Sequence, residues 1–303
     1  MKKLTLAYFG SPDFAADFLE KILLDKSLPV AVKLIVAQPD SPVGRKQIIT
    51  PTPVKTMALK YSLEILEIKN LELIKNLKFK IKNYDICLVY AFGAIVPKEL
   101  LNLSQYGFLN IHPSLLPKYR GVSPIASSLI NGDKTTGVTI IKMDEKIDHG
   151  PIVAQESLTI DQDDKRPDLE KKLTDLAFEL FKKAVIQLTG SWVNELKTKE
   201  QNHETATYTK KLSKQDGFIS IENFKFQISN SPEKLYNLFR GLYPWPGIWT
   251  IVKPIQPTRL NEAKRLKITD IKLINNKLII KRVQLEGKNE VDFETFNKAY
   301  KIF

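Results

Sequence analysis

The feature that most constrains the fold is an alternation of strand-like and helix-like segments over the first two thirds of the chain. Apolar, β-rich runs such as LTLAYFG (4–10) and DICLVYAF (85–92) alternate with segments of helical periodicity, the first of which is FAADFLEKILL (14–24). This alternation predicts an α/β domain built on an open, mostly parallel, doubly wound (Rossmann-like) sheet. A long amphipathic repeat (167–190) closes this region.

The character of the sequence changes near residue 190. A polar, Lys-rich stretch is followed by short apolar runs such as FISIE (218–222) and NKLIIKRVQLEG (276–287), with one helical segment, SPEKLYNLFRGL (231–242), between them. Short strands after a linker predict a small β-barrel-like domain. We therefore expect a sheet domain, a linker and a C-terminal domain, with the boundaries 1–190, 191–208 and 209–303.

Positive charge is concentrated in the C-terminal third. Residues 1–200 contain 28 Lys and Arg against 24 Asp and Glu, whereas residues 201–303 contain 18 against 10, so that third carries +8 of the net +12. This excess predicts contact between the C-terminal domain and a polyanion. A solvated, Lys-rich surface explains the net charge alone equally well.

Several classes of protein are excluded by what the sequence lacks. The single cysteine, Cys87, cannot form a disulfide framework and does not support a zinc cluster, so no metal is expected. FGSPDFA (9–15) has one glycine where a dinucleotide fingerprint needs three, which excludes hydride transfer with NAD. No signal peptide or membrane span is predicted. We expect a soluble, cytosolic protein without an obligate interface, and hence a monomer.

Chemistry is suggested by the stretch NIHPSLLPKYRG (110–121). Side chains at i and i+2 of a strand share a face, so Asn110 and His112 should project together from a strand that Pro113 terminates. Two donors at one point can stabilise an oxyanion, and histidine can transfer a proton near neutral pH. A buried, hydrogen-bonded histidine is nevertheless the stronger interpretation of this pair taken alone.

A carboxylate strengthens the catalytic interpretation. The turn in MDEKIDHGP (143–151) can bring Asp148 to His112, where it would orient the imidazole and stabilise its charged form. No serine or cysteine lies in a nucleophile context, so these residues favour acyl or one-carbon transfer to an amine of the substrate. From the residues alone, no chemical role is predicted for Asp144, Glu145, His149 and His203.

The proline-rich segment PDSPVGRKQIITPTPVK (39–55) is long for a connection inside an α/β unit. It shows almost no periodicity. We interpret it as a functional loop, with an ordinary surface loop as the alternative.

These motifs together resemble the 10-formyltetrahydrofolate-dependent formyltransferases. The resemblance rests on NIHPSLLPKYRG followed by M-D-x-x-I-D-x-G-P, and it extends nearly end to end through FGSPDFA, LVYAFGAIVP, PWPGIWT and VQLEGKNEVDFETF. It implies that the C-terminal domain is an OB-like barrel. It also implies that the proline-rich loop reaches toward the acceptor arm of a tRNA.

The resemblance assigns roles to particular residues. The implied catalytic residues are Asn110, His112 and Asp148. The implied folate-binding residues are Ser114, Leu115, Leu116, Pro117, Tyr90, Phe92, Gly93 and Asp144, although Tyr90, Phe92 and Gly93 fit an ordinary core as well. The implied tRNA-binding residues are Arg45, Lys46, Lys210, Lys211, Arg240, Lys281 and Arg282. The family more often has threonine where this chain has His149.

The resemblance implies a reaction, with 10-formyltetrahydrofolate as co-substrate and methionyl-tRNA as partner. A formyl group would pass to the α-amino group of the initiator methionyl-tRNA for use in translation initiation. Two alternatives remain open. A formyltransferase for a nucleotide-linked amino sugar should lack the 39–55 loop and the basic C-terminal domain, whereas an RNA-binding module would not need all three catalytic positions intact.

Overall fold

The computed structural model describes residues 3–44, 46–68, 77–190, 196–252, 262–300 and 302. The chain divides into two compact units. The first, here called the sheet unit, comprises Met1–Gly121, Thr135–Thr159 and Glu170–Tyr208. The second unit comprises Val122–Lys134, Ile160–Leu169 and Thr209–Phe303.

The sheet unit contains a seven-stranded sheet in its described residues. Its strands, numbered in chain order, are β1 (Leu4–Gly10), β2 (Val30–Ala37), β5 (Glu64–Glu67), β6 (Ile86–Tyr90), β7 (Phe108–His112), β9 (Thr135–Lys142) and β10 (Ile152–Thr159). They lie in the order β10-β9-β7-β6-β1-β2-β5. The five strands from β7 to β5 are parallel, whereas β9 and β10 are antiparallel to their neighbours. The prediction of a mostly parallel, Rossmann-like sheet is confirmed.

Helices cover the sheet because both of its faces are apolar. β1 buries the consecutive side chains of Leu6, Ala7, Tyr8 and Phe9, as a strand covered on both faces must. The helices of this unit are α1 (Asp13–Leu24), α2 (Pro53–Lys60), α3 (Lys98–Leu101) and most of α5 (Arg166–Gly190). In α1, the buried residues Ala15, Phe18, Leu19 and Ile22 follow the spacing of one helical face.

The proline-rich segment contains a short hairpin rather than an irregular loop. Strands β3 (Ser41–Val43) and β4 (Ile48–Thr50) pair in antiparallel fashion. Arg45, which lies between these strands in the sequence, is outside the described residues. Thr52 then caps α2 by accepting a hydrogen bond from the Lys55 N–H at 3.3 Å, and Pro53 occupies the first turn.

The second unit is built on a four-stranded antiparallel sheet. Its strands are β12 (Ile248–Val252), β13 (Lys264–Ile274), β14 (Lys277–Leu285) and β15 (Glu290–Asp292). Its helices are α4 (Pro124–Ile130), α6 (Ile221–Asn230), α7 (Pro232–Leu242) and α8 (Phe293–Tyr300). Phe224, Phe239 and Val283 belong to its buried core. The antiparallel sheet is compatible with a small barrel.

The strand predicted at FISIE (218–222) is wrong. Phe218 forms only an isolated bridge with Trp249. The Ser220 side chain accepts a hydrogen bond from the Asn223 N–H at 3.2 Å and thereby caps α6. A capping serine therefore outweighed the apolar alternation of this segment.

Part of the stretch predicted as a linker is hydrogen-bonded within the sheet unit. Lys199 exchanges two backbone hydrogen bonds with Ile152, at 2.7 and 2.8 Å, and the Arg120 N–H donates to the Thr207 carbonyl at 2.8 Å. Residues 191–195 lie outside the described residues. Within the described part of the chain, no helix combines the length and the hydropathy that crossing a bilayer requires.

Candidate active site

Asn110 and His112 lie on one face near the end of β7, and a third residue joins them there. The Asp148 Oδ1 accepts a hydrogen bond from the Asn110 Nδ2 at 3.1 Å, and its Oδ2 lies 3.5 Å from the His112 Nδ1. The Asp148 Oδ2 also accepts from the Gly121 N–H at 2.7 Å. The structure thus brings together the three side chains proposed as catalytic from the sequence.

Asp148 reaches this point by a route that the strand pattern does not reveal. Because β9 is antiparallel to β7, the loop after β9 starts beside the amino end of β7, where Met143 donates its N–H to the Phe108 carbonyl at 2.8 Å. The loop then folds back, and Asp148 adopts a left-handed conformation with φ of 48°. This conformation is uncommon for a residue other than glycine.

The His112 ring is held at both nitrogens. Its Nε2 lies 2.9 Å from the carbonyl oxygen of Tyr119, which can only accept, so Nε2 carries the proton of that hydrogen bond. When Nδ1 also carries a proton, its N–H faces the Asp148 carboxylate. His112 is 4% exposed. The ring must therefore release one of these partners before it can donate to a substrate. The expectation from the sequence, a histidine that donates freely to an oxyanion, does not include this constraint.

Asn110 differs from His112 in its remaining capacity. Its Nδ2 has two N–H bonds, and one of them donates to Asp148. The second N–H of Asn110 can therefore donate to a developing oxyanion. The side chain is only partly buried, whereas His112 is buried.

The SLLP turn (114–117), expected to contact folate, is fixed by strands β9 and β10. The buried Thr139 hydroxyl donates to the Ser114 carbonyl at 2.6 Å and accepts from the Leu116 N–H at 3.1 Å. Gln155 donates to the Leu116 carbonyl at 3.0 Å. Ser114 and Leu116 are buried, whereas Leu115 and Pro117 are partly exposed. Thr139 and Gln155 had no signal beyond strand alternation, and sequence reasoning missed them.

The other residues assigned to folate divide into two groups. Tyr90 and Phe92 are buried in the core: the Tyr90 hydroxyl lies 3.3 Å from the Thr174 Oγ1, burial raises the pKa of Tyr90, and Phe92 packs edge-on against Phe9. Gly93 is exposed, with φ of 80°. Any folate contact from this segment would therefore use its backbone more than its two aromatic rings.

Asp144, the remaining folate candidate, is held by hydrogen bonds within the β9–β10 loop. Its Oδ2 lies 2.6 Å from the His149 Nδ1, and its Oδ1 accepts from the Lys146 N–H at 2.9 Å. His149 stacks on His203, with ring centroids 3.9 Å apart and an interplanar angle of 2°. No role was predicted for either histidine, and their separation in the sequence concealed this contact.

The basic residues assigned to tRNA are placed differently from one another. Arg45 lies outside the described residues. Lys46, Lys210, Lys211, Lys281 and Arg282 are exposed, although Lys210 pairs with Asp216 and Arg282 with Glu290. Arg240 is 5% exposed and donates to the carbonyls of Asp161 and Asp164, at 3.0 and 3.2 Å, beside a cavity of about 350 Å³ in the second unit. Its guanidinium is buried and hydrogen-bonded inside that unit, so Arg240 is not part of an exposed tRNA-binding surface.

Within the described residues, no group of three or more His, Cys, Asp or Glu side chains is arranged to hold a metal ion. The side chains that the structure brings together at the end of β7 are an amide, an imidazole and a carboxylate. Those three groups suit proton transfer and oxyanion stabilisation at a carbonyl carbon.

Comparison with known proteins agrees with this chemistry. Residues 2–185 match the model of the formyl transferase family. The chain belongs to this family.

Relatives with assigned activities cover nearly the whole chain. It is 36% identical to a methionyl-tRNA formyltransferase of Caldicellulosiruptor saccharolyticus, over 99% of this chain and 98% of that protein. It is 32% identical to a methionyl-tRNA formyltransferase of Halothermothrix orenii, over 99% and 98%. The structure of an N-formyltransferase from Helicobacter canadensis with folinic acid and dTDP-3-aminofucose is 21% identical, covers 92% of this chain and 95% of that one, and has a TM-score of 0.58. That similarity shows a shared fold.

Proposed function

We propose that this enzyme transfers the formyl group of 10-formyltetrahydrofolate to the α-amino group of methionyl-tRNA. The observation that carries the proposal is the convergence of Asn110, His112 and Asp148 in one cluster of a formyl transferase. The acceptor follows from relatives that share this activity over nearly their full length at 32–36% identity.

The residues present fit such a co-substrate. The site offers one amide donor, one imidazole and one carboxylate around a single point, and the SLLP turn beside it is rigidly hydrogen-bonded. When bound, 10-formyltetrahydrofolate supplies a formyl carbon that the amine attacks, so that a new C–N bond forms and the bond to N10 breaks. The turn and the backbone near Gly93 are the groups that we expect to hold its pterin ring.

Each catalytic side chain has a distinct task in this proposal. The second N–H of Asn110 donates to the formyl oxygen as it becomes negative. Asp148, with His112, accepts the proton that the attacking amine loses and returns a proton to the departing nitrogen, so no net proton is consumed. An amide donor, which cannot ionise, suits the first task, and a paired carboxylate and imidazole suit the second.

The proposed tRNA surface includes the β3–β4 hairpin. The β3–β4 hairpin presents Val43, Ile48 and Ile49, exposed by 53%, 61% and 63%, with Lys46 in its turn. Exposed apolar side chains next to a basic turn fit a partner with both stacked bases and phosphates. In the C-terminal region, exposed Lys210, Lys211, Lys281 and Arg282 are the proposed phosphate contacts.

A second candidate, transfer to a nucleotide-linked amino sugar, is supported only by similarity of fold. The Helicobacter canadensis enzyme shares that fold at 21% identity. The 39–55 segment and the +8 charge of residues 201–303 favour the tRNA acceptor. The finer features complete the proposal: an OB-like C-terminal barrel, domain boundaries at 190 and 209, a monomer, and a place in the cytoplasm, where translation initiates.

A competition assay tests the acceptor. The protein is mixed with 10-formyltetrahydrofolate and equal concentrations of methionyl-tRNA and a nucleotide-linked amino sugar, and both products are quantified. We expect formyl-methionyl-tRNA to be the dominant product. Formylation of the sugar alone would overturn the proposal, and tight tRNA binding without any transfer would favour a binding module.

A further inference from the structure

One buried glutamine is fastened to the backbone of the catalytic aspartate. Gln201 is 5% exposed, and its Nε2 donates to the Asp148 carbonyl at 3.0 Å and to the Gly150 carbonyl at 2.7 Å. A single side-chain amide thereby ties together both ends of the three-residue turn 148–150. Its two N–H bonds are both used in doing so.

The turn that Gln201 holds is tightly constrained. Asp148 is in the left-handed region, with φ of 48°, where a residue other than glycine needs support from its surroundings. Gly150 lies so close to β9 that an added Cβ would collide with the Lys142 carbonyl oxygen. The direction of the Asp148 carboxylate therefore depends on groups that hold this backbone in place.

Arg120 fixes the orientation of the glutamine amide. Its Nη2 and Nε donate to the Gln201 Oε1 at 2.6 and 3.3 Å, so the oxygen faces the guanidinium and the nitrogen faces the two carbonyls. Arg120 is 1% exposed, and its Nη2 also lies 2.8 Å from the His203 Nδ1. Because arginine can only donate, that ring nitrogen is the acceptor.

The same short segment also contacts the site directly on both sides of Arg120. The Tyr119 carbonyl accepts from the His112 Nε2, and the Gly121 N–H donates to the Asp148 Oδ2. Gln201 thus joins the Asp148 turn to the segment that holds both His112 and the Asp148 carboxylate. Its side chain has no remaining donor with which to act on a substrate.

We propose that Gln201 is a positioning residue for formyl transfer, which holds the Asp148 carboxylate against Asn110 and His112 by fixing the backbone of the 148–150 turn. The activity test of this idea rests on the proposed function. Misplacing a catalytic group by about 1 Å can lower turnover about 10²-fold. The predicted loss is therefore in kcat, since both side-chain N–H bonds of Gln201 are used within the protein.

The sharpest variant is Gln201→Glu. It keeps the size of the side chain and an acceptor for Arg120, but an ionised carboxylate cannot donate to the two carbonyls. We expect kcat to fall about 10²-fold, with less than a twofold change in KM for either substrate. Asn202→Ala is the matched control, because the neighbouring Asn202 is exposed and its side chain contacts the Glu204 N–H instead of the turn. It should retain wild-type kcat.

A structural readout separates this proposal from the proposed function. In crystals of Gln201→Glu, we expect the Asp148 carboxylate to move beyond hydrogen-bond distance of the Asn110 Nδ2, and in crystals of the control it should stay. If Gln201→Glu does not fold, Gln201→Asn, which sets the same groups back by one methylene, is measured in the same way.

Kinetics and crystals together decide the outcome. A wild-type protein that formylates no methionyl-tRNA would overturn the proposed function, whereas the Asp148 displacement would still report on positioning. An undisplaced Asp148, a kcat within twofold of wild type, or a loss confined to KM would overturn the role of Gln201.

Discussion

Two loops of the sheet unit differ in how firmly the rest of the protein holds their side chains. In the β9–β10 loop, the Asp148 carboxylate lies within 3.5 Å of the Asn110 amide, the His112 ring and the Gly121 N–H. The Gln201 side chain also donates to the Asp148 carbonyl. In the β3–β4 hairpin, Val43, Ile48 and Ile49 are more than half exposed. Proton transfer needs groups fixed before the substrate arrives, because reorganisation during reaction costs activation free energy. Recognition of a large partner needs surface left uncovered until the partner covers it.

The largest effect is expected from a substitution of Asp148 in the β9–β10 loop. Asp148→Asn keeps the shape of the side chain but removes the charge that accepts a proton, so kcat should fall about 10²–10⁴-fold. KM for methionyl-tRNA should change little. Glu145→Gln, in the same loop but exposed, is the control and should retain activity. Steady-state formylation kinetics measure both, and a kcat near wild type for Asp148→Asn would remove Asp148 from the mechanism.

The hairpin should show the opposite pattern. The double variant Ile48→Ser/Ile49→Ser should raise KM for methionyl-tRNA at least about tenfold, since burying one isoleucine contributes about 1.5–3 kcal/mol. The midpoint of thermal unfolding and KM for folate should stay unchanged. Ile186→Ser, an exposed isoleucine of α5, is the matched control. Equal effects of the two variants would show that the hairpin does not contact tRNA.

A smaller effect separates apolar from electrostatic contact. Lys46→Ala and Lys211→Ala should each lower the slope of log Kd for tRNA against log salt concentration by about 0.7–0.9, because each removes one phosphate contact. The isoleucine variant should weaken binding without changing that slope. Filter binding between 50 and 200 mM salt measures both, and a flat response of the wild-type protein would contradict phosphate contact.

The smallest expected effect is the pH dependence of stability that arises from His203, which stacks on His149 of the β9–β10 loop. Loss of hydration at the His203 ring, followed by the charges of His149 and Arg120, lowers the pKa of His203 below its usual 6.5, with Lys146 adding to this and Glu200 opposing it. The unfolded chain then binds the proton first. The contribution of His203 to the free energy of unfolding is therefore fully present above about pH 6.5. It declines as the pH falls from there toward the lower pKa of His203 in the folded protein.

His203→Gln tests this prediction, because its amide oxygen can still accept from Arg120 while it cannot titrate. The melting temperature of the wild-type protein should fall more than that of the variant between pH 7.5 and pH 5. The hairpin variant serves as the reference, and it should retain the wild-type pH dependence. Parallel melting curves for His203→Gln and wild type would contradict the assignment.

The sequence could predict what depends on local spacing. The i, i+2 rule placed Asn110 and His112 on one face, and the apolar runs predicted the strands of the parallel sheet. It could not predict that Gln201 would be buried against Asp148, because the two are 53 residues apart and Gln201 lies in a polar stretch. The same limit concealed the stacking of His149 on His203 and the burial of Arg240.

Other differences arose from competition between local signals. Ser220 capped a helix where apolar alternation predicted a strand. Tyr90 and Phe92 lie in the segment that resembles a folate pocket, yet both rings are buried. Tyr90 ends the central strand β6, which is covered on both faces, and Phe92, just after that strand, packs against Phe9. The motif therefore predicts which segment belongs to the proposed site, whereas packing determines which atoms of that segment are exposed.

The most direct measurement follows a labelled formyl group. The protein is incubated with 10-formyltetrahydrofolate that carries ¹⁴C in the formyl group and with methionyl-tRNA, alongside the Asp148→Asn variant. Wild-type protein should transfer the label to the methionine α-amino group in one turnover, and the variant should bind the same tRNA without transferring it. Label that stays on folate with wild-type protein, or that reaches methionine equally with both, would contradict the account.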